Sequence, residues 1–273
     1  MMSARTGAEG GTAVRIDARC SALAATAVLS PASSMSPAAR TAGWFESVRV
    51  RVSVAAGGAQ GNGDSFRADV SADGRFVAFD SAASNLVAGN TNGTSDVFVR
   101  DLAQGVTRRV SLGARGKQLA TRNVGASISA DGRVVVFSAG AAEEGTQVYV
   151  RDRVARVTRL VSVALDGTPA DGEVSLGKIF ADGRFVAFQS SASNLVRGDT
   201  NATEDAFLRD VLAGTTERMS ISTTGLQANA FSRGISISAD GRHVAFGSPA
   251  SNLVARDTNR VDDVFVRSAF GDG

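Results

Sequence analysis

A seven-residue loop occurs three times with oxygen-bearing side chains at its first, third and seventh positions. It reads Asp199-Thr200-Asn201-Ala202-Thr203-Glu204-Asp205, then Asp257-Thr258-Asn259-Arg260-Val261-Asp262-Asp263, and more weakly Asn90-Thr91-Asn92-Gly93-Thr94-Ser95-Asp96. Oxygens so placed in a tight loop could wrap Ca2+, a hard ion that takes about six to eight of them. The candidate metal ligands are therefore Asp199, Asn201 and Asp205, with Asp257, Asn259 and Asp263. Carboxylates are few for such an ion, and neither the sixth-position glycine nor the distal bidentate glutamate of an EF-hand is present. The competing reading is that Asp and Asn cap these turns by bonding their own backbone.

Catalysis finds little support. The single histidine, His243, has Phe76, Val134 and Phe185 at the matching positions of its repeat, so a packed core histidine is expected rather than a triad member. There is no Gly-x-Ser-x-Gly nucleophile elbow. The run Gly113–Gln118 lacks the spacing and hydroxyl of a phosphate loop, and Gly61-Asn62-Gly63 lacks the third glycine of a dinucleotide site. One cysteine, Cys20, permits neither an intramolecular disulfide nor a cysteine metal cage. A net charge of +2, with its charges scattered, gives no footprint for nucleic acid. No apolar stretch is long enough for a transmembrane helix.

The elements that must position these residues come from a fourfold repeat. Ala-Asp-Gly-Arg begins at Ala72, Ala130, Ala181 and Ala239. A glycine stands 15 residues before each Asp, at Gly58, Gly116, Gly167 and Gly225. An arginine closes an apolar run at Arg100, Arg151, Arg209 and Arg267. Each unit reads as four strands: a short inner one, an Asp-Gly hairpin turn, an apolar strand such as Phe76–Phe79, a third such as Val97–Val99, and an alternating fourth. In that fourth strand Val106, Val110 and Leu112 face one way, while Thr107, Arg109 and Ser111 form a wet face. Repeated four-stranded units of this length predict an all-β fold, a β-propeller of four blades. The segment Val48–Val54 reads as a fourth-type strand without a blade, and the last repeat ends on a third-type strand. Pairing the two is expected to complete the last blade and close the ring.

Function should sit where the repeat breaks. One break is the short loop Ala139–Gly145 of the second repeat, whose Glu143 and Glu144 would edge a notch on the face carrying the four glycines. Another is the innermost strand position, occupied by Asp69, Ser127, Lys178 and Ser236, where Asp69 and Lys178 could pair across a four-blade ring.

The run Ser71–Phe79, its copy Ser238–Phe246, and the companion Ser193–Asp210 resemble the TolB-type, WD-repeat-like propeller blade. The resemblance covers residues 47–270 and implies a fold rather than an activity. It also implies an extracytoplasmic location, in keeping with residues 1–46, which read either as a secretory signal or as a disordered tail. The expected function is a non-catalytic binding or scaffolding module for a protein or glycan. The alternatives are a calcium-stabilised structural propeller and the accessory propeller of a lyase or hydrolase system.

Overall fold

The computed structural model describes residues 49–141, 145–175, 177–259 and 261–269. The chain divides into two units, Met1–Arg51 and Val52–Gly273. Of the first, the described residues Arg49, Val50 and Arg51 are exposed and belong to no strand. The second carries four antiparallel sheets in chain order. Sheet one is β1 (Ser65–Val70), β2 (Phe76–Ser81), β3 (Asp96–Asp101) and β4 (Val106–Arg109). Sheet two is β5 (Arg122–Ile128), β6 (Val134–Ala141), β7 (Gly145–Asp152) and β8 (Val157–Leu160). Sheet three is β9 (Lys178–Ile179), β10 (Phe185–Ser190), β11 (Asp205–Asp210) and β12 (Thr215–Arg218). Sheet four has β13 (Arg233–Ile237), β14 (His243–Ser248) and β15 (Asp263–Ser268).

The repeated residues are explained by the turns they build. Between β1 and β2 the Asp73 carboxylate accepts the Ser71 hydroxyl at 2.6 Å and the Arg75 amide at 3.0 Å. Gly74 supplies the left-handed φ of 71° that the turn needs. The following arginine then reaches across to the aspartate ending the third strand: Arg75–Asp101 at 2.8 Å, Arg133–Asp152 at 2.7 Å and Arg184–Asp210 at 2.6 Å. In the fourth repeat Ser268 replaces that aspartate. Each sheet also holds a cross-strand aromatic pair, stacked in the first three, such as Phe79–Phe98 with ring centroids 5.8 Å apart, and tilted in the fourth.

The core lies between successive sheets. Val97 and Val99 pack with Val135 and Phe137 of sheet two. Val148 and Val150 pack with Val186 and Phe188 of sheet three, and Ala206 and Leu208 with Val244 and Phe246 of sheet four. The second strand of an inner sheet is buried on both faces, as its unbroken apolar run requires.

Three expectations need correction. First, the chain does not close as predicted. Among the described residues β15 pairs only with β14, leaving sheet four three-stranded. Val52 instead packs beside Phe79, Leu86 and Phe98 of sheet one, and Val54 bridges Gln60.

Second, His243 is exposed rather than buried. Its repeat-mates are covered by the turn glycine of the next sheet: Phe76 by Gly132, Val134 by Gly183 and Phe185 by Gly241. Sheet four is the last sheet described, so His243 has no such cover.

Third, the fourth strand's polar face is dry. Thr107 and Ser111 are buried because their hydroxyls donate to the Val54 carbonyl at 2.5 Å and to Asp96 at 2.7 Å.

Candidate functional site

The predicted ligand loops are built as compact acidic turns, each facing an arginine where a fourth strand is present. In the third repeat, Asp199, Asn201 and Asp205 do come together. The Asn201 amide donates to Asp205 at 3.1 Å and to the Ala228 carbonyl, and the Asn201 carbonyl accepts from the Thr203 amide. Arg218, from β12, lies 3.3 Å from Asp199 and 3.8 Å from Asp205, while Ser220 donates to Asp205. All three charged side chains are at least nine-tenths buried. Burial pushes the Asp199 and Asp205 carboxyls up, and Arg218 opposes that.

The first repeat repeats the theme. Arg109 lies 3.5 Å from Asp96 and donates to Asn90 at 3.1 Å, and Gln118 bridges Asn90 and Asp96. In the second repeat Gln147 replaces the carboxylate, Leu160 the arginine and Pro169 the glutamine. Carboxylate, guanidinium and amide therefore come and go as a set. In the fourth repeat Asn259 donates to Asp263 at 2.9 Å, and Asp257 and Asp263 are half-exposed. Among the described residues no three His, Cys, Asp or Glu side chains are grouped to hold a metal ion.

Of the other predicted positions, Glu143 and Glu144 lie outside the described residues. Asp69 turns to its neighbour rather than across the molecule. Its carboxylate accepts the Ser127 hydroxyl and the Ile128 amide, both at 2.9 Å. Lys178 is exposed on β9.

A different feature stands out. A groove of about 660 Å3 between the outer parts of sheets one and two is lined by Arg108, Arg109, Arg115, Arg151, Arg153 and Arg156. Its remaining described lining is Val110, Leu112 and Gly116, with no carboxylate. β4 supplies Arg108 and Arg109, and the turn Ala114–Gly116 supplies Arg115. The end of β7 and the hairpin after it supply Arg151, Arg153 and Arg156. The Thr158 hydroxyl binds the Leu112 carbonyl at 2.5 Å, which ties the two walls together.

Some of this charge is already engaged. Arg109 faces Asp96, Arg151 donates to the Thr158 hydroxyl at 3.0 Å, and Arg153 bonds the Gly132 carbonyl and lies 4.5 Å over the Phe76 ring. Burial, then the neighbouring Arg156, hold the Arg151 guanidinium below its ordinary value. Burial and Arg108 do the same for Arg153. Crowding of like charge in a partly dry groove is relieved by an anion.

The backbone marks the same residues. Arg115 and Arg156 adopt φ of 57° and 59°, a conformation that costs a side-chain-bearing residue about 1–2 kcal/mol. At the position of Arg156 the first and third repeats carry Gly105 and Gly214, with φ of 65° and 72°. At the position of Arg153 they carry Leu102 and Val211. The second repeat thus departs from the others by placing two arginines on one hairpin, one of them where glycine fits. That departure is readable from the repeat, but it becomes a site only once the first repeat's Arg108, Arg109 and Arg115 are seen opposite.

No family model matches the chain, and no curated protein sequence does. Among solved structures it is similar to TolB from Acinetobacter baumannii, at 18% identity and a TM-score of 0.45, over 76% of this chain and 41% of that one. It is also similar to a putative TolB from Agrobacterium tumefaciens, at 16% identity and a TM-score of 0.47, over 73% and 60% of the two chains. The β-propeller domain of the trilobed protease from Pyrococcus furiosus matches at 11% identity and a TM-score of 0.46, over 76% and 57%. The chain therefore spans between 41% and 60% of the length of these three structures. Among the described residues the chain's own architecture is all-β, with four antiparallel sheets.

Proposed function

We propose that this protein is a non-catalytic binding module whose arginine-lined groove captures an acidic glycan. The observation that carries the reading is six guanidinium groups around one groove with no carboxylate in its described lining. A guanidinium presents a planar fork of donors that matches carboxylate or sulfate bidentately, and it keeps its charge at neutral pH. It neither attacks as a nucleophile nor accepts a proton there, so the groove's polar side chains suit binding rather than bond cleavage. The groove's size suits a few sugar units, and the partly exposed Leu112 offers apolar surface to sugar faces.

Calorimetric titration with an oligogalacturonate, a sulfated oligosaccharide and a neutral dextrin tests the reading. Binding of an acidic sugar that weakens with salt, and is lost in Arg153→Ala/Arg156→Ala, is expected. Equal binding of the dextrin, or undiminished binding by the double variant, refutes it. Among the described residues no helix is long and apolar enough to cross a membrane. Extracytoplasmic placement, drawn from residues 1–46, belongs to the same proposal, and fractionation of cells expressing the full chain tests it.

A further inference from the structure

The two ends of the sheet series carry matching unmet requirements. On sheet four, Val264 and Val266 are 80% and 65% exposed. Their repeat-mates Val97, Val99, Val148, Val150, Ala206 and Leu208 are all under 5% exposed, because each packs on the sheet that follows. Sheet one shows the complementary gap. Val77 is only half-buried, whereas its mates Val135, Val186 and Val244 are fully buried. Phe66 and Val70 of β1 are 59% and 54% exposed.

The turn contacts repeat the pattern. Phe76, Val134 and Phe185 sit against Gly132, Gly183 and Gly241 of the following sheet. The two members left over are His243, which is exposed, and Gly74, beside which a side chain would meet open space.

The acidic loops supply a third, independent observation. Asp96 is met by Arg109, Ser111 and Gln118, and Asp205 by Arg218 and Ser220, with Gln227 bonded to Arg218. In both sets the serine follows the arginine by two residues and the glutamine follows it by nine. The fourth repeat keeps Asp257 and Asp263, but among the described residues no strand of its own stands beside β15 in that place. The same triplet at the same spacing stands at Arg51, Ser53 and Gln60. Val52, between them, already packs on Phe79 and Leu86 of sheet one, as Val161 packs with Phe188 and Leu195. Val52 is thus placed on sheet one as the last strand of a preceding sheet would place it.

From these observations we infer that the open side of sheet four docks a second copy of this chain. That copy lays its residues 49–54 along β15 and its sheet one over Val264 and Val266. Arg51 and Ser53 of the second copy then meet Asp263, and its Gly74 turn covers His243. The contact is head-to-tail, so reciprocal docking of two chains, each with four sheets among the described residues, closes a ring. Such a ring has about eight sheets, within the usual propeller range.

The test uses the full chain. Val99 pairs with Arg108 in sheet one, so Val266 should pair with Val50 of the second copy. In a Cys20→Ser background, Val50→Cys/Val266→Cys should oxidise to a reducible species of at least twice the 27.9 kDa chain. Sedimentation of the unmodified chain should give the same multiple. Asp263→Arg alone should weaken self-association at least tenfold, and adding Arg51→Asp should restore it. A disulfide joined within one chain, or a chain that sediments at 27.9 kDa with both thiols free, overturns the inference.

Discussion

Replacing Arg156 by glycine should separate what this residue does for binding from what it costs the fold. Arg156 holds φ of 59° at a turn position where Gly105 and Gly214 stand in neighbouring repeats. The left-handed conformation costs a side-chain-bearing residue about 1–2 kcal/mol. Glycine removes that cost but gives back about 0.5–1 kcal/mol through the greater freedom of its unfolded chain. Loss of the repulsion that Arg156 exerts on Arg151 acts in the same direction as relief of strain. The net expectation is a variant more stable by roughly 0.5–1 kcal/mol, with Tm higher by about 1–4 °C. Binding should move the other way. A hydrogen bond to a charged group contributes about 1.5–3 kcal/mol when well buried, and Arg156 is exposed, so a loss near 1 kcal/mol, or about fivefold in Kd, is expected. Calorimetric melting and titration with the acidic oligosaccharide read the two quantities on one sample. Arg156→Lys, which keeps both charge and backbone strain, should melt like the parent. An Arg156→Gly variant that melts lower, or that binds unchanged, refutes the reasoning.

Other expectations follow from the interior. Arg218→Met leaves Asp199 and Asp205 buried without their guanidinium, so urea denaturation should show a loss of about 3–5 kcal/mol. A change under about 1 kcal/mol would mean these carboxylates are compensated otherwise. Gly198→Ala, at φ of 69° with open space beside it, and Gly132→Ala both incur the left-handed penalty of about 1–2 kcal/mol. Gly132→Ala also drives a methyl into the Phe76 ring of the adjacent sheet and should lose about 1–3 kcal/mol more; equal losses would contradict the packing of sheet two on sheet one. The Asp210 carboxyl is held below its ordinary value chiefly by the Arg184 hydrogen bond. Its stabilisation is therefore complete above about pH 3.8 and is lost as pH falls from there through the lower folded value. Melting from neutral pH to about pH 2 should show a shallower acid limb in Asp210→Asn than in the parent, and superimposable limbs would exclude the clamp.

The sheets are legible in the sequence because their signals are local. Asp-Gly turns fix the hairpins, and unbroken apolar runs such as Val134–Phe137 mark strands covered on both faces. What the sequence hides depends on neighbours. His243 occupies a position that is buried only when another sheet's glycine turn lies over it. Thr107 and Ser111 alternate like a wet face, yet the turn at Val54 and the Asp96 carboxylate cover them. The guanidinium facing two of the acidic loops, Arg109 or Arg218, lies 13 residues along the chain from Asp96 or Asp205, a pairing that no local motif signals. The arginine groove is hidden for a similar reason. Its two walls come from different repeats, and only the unusual residues at Arg153 and Arg156 betray it in a single one.

Hydrogen–deuterium exchange of the full chain, with and without the acidic oligosaccharide, tests the binding assignment most directly. Protection concentrated at residues 108–116 and 151–156 is the predicted result, with sheets three and four unchanged. Protection confined to the opposite end of the sheet series, or none at a sugar concentration that saturates binding, would contradict it.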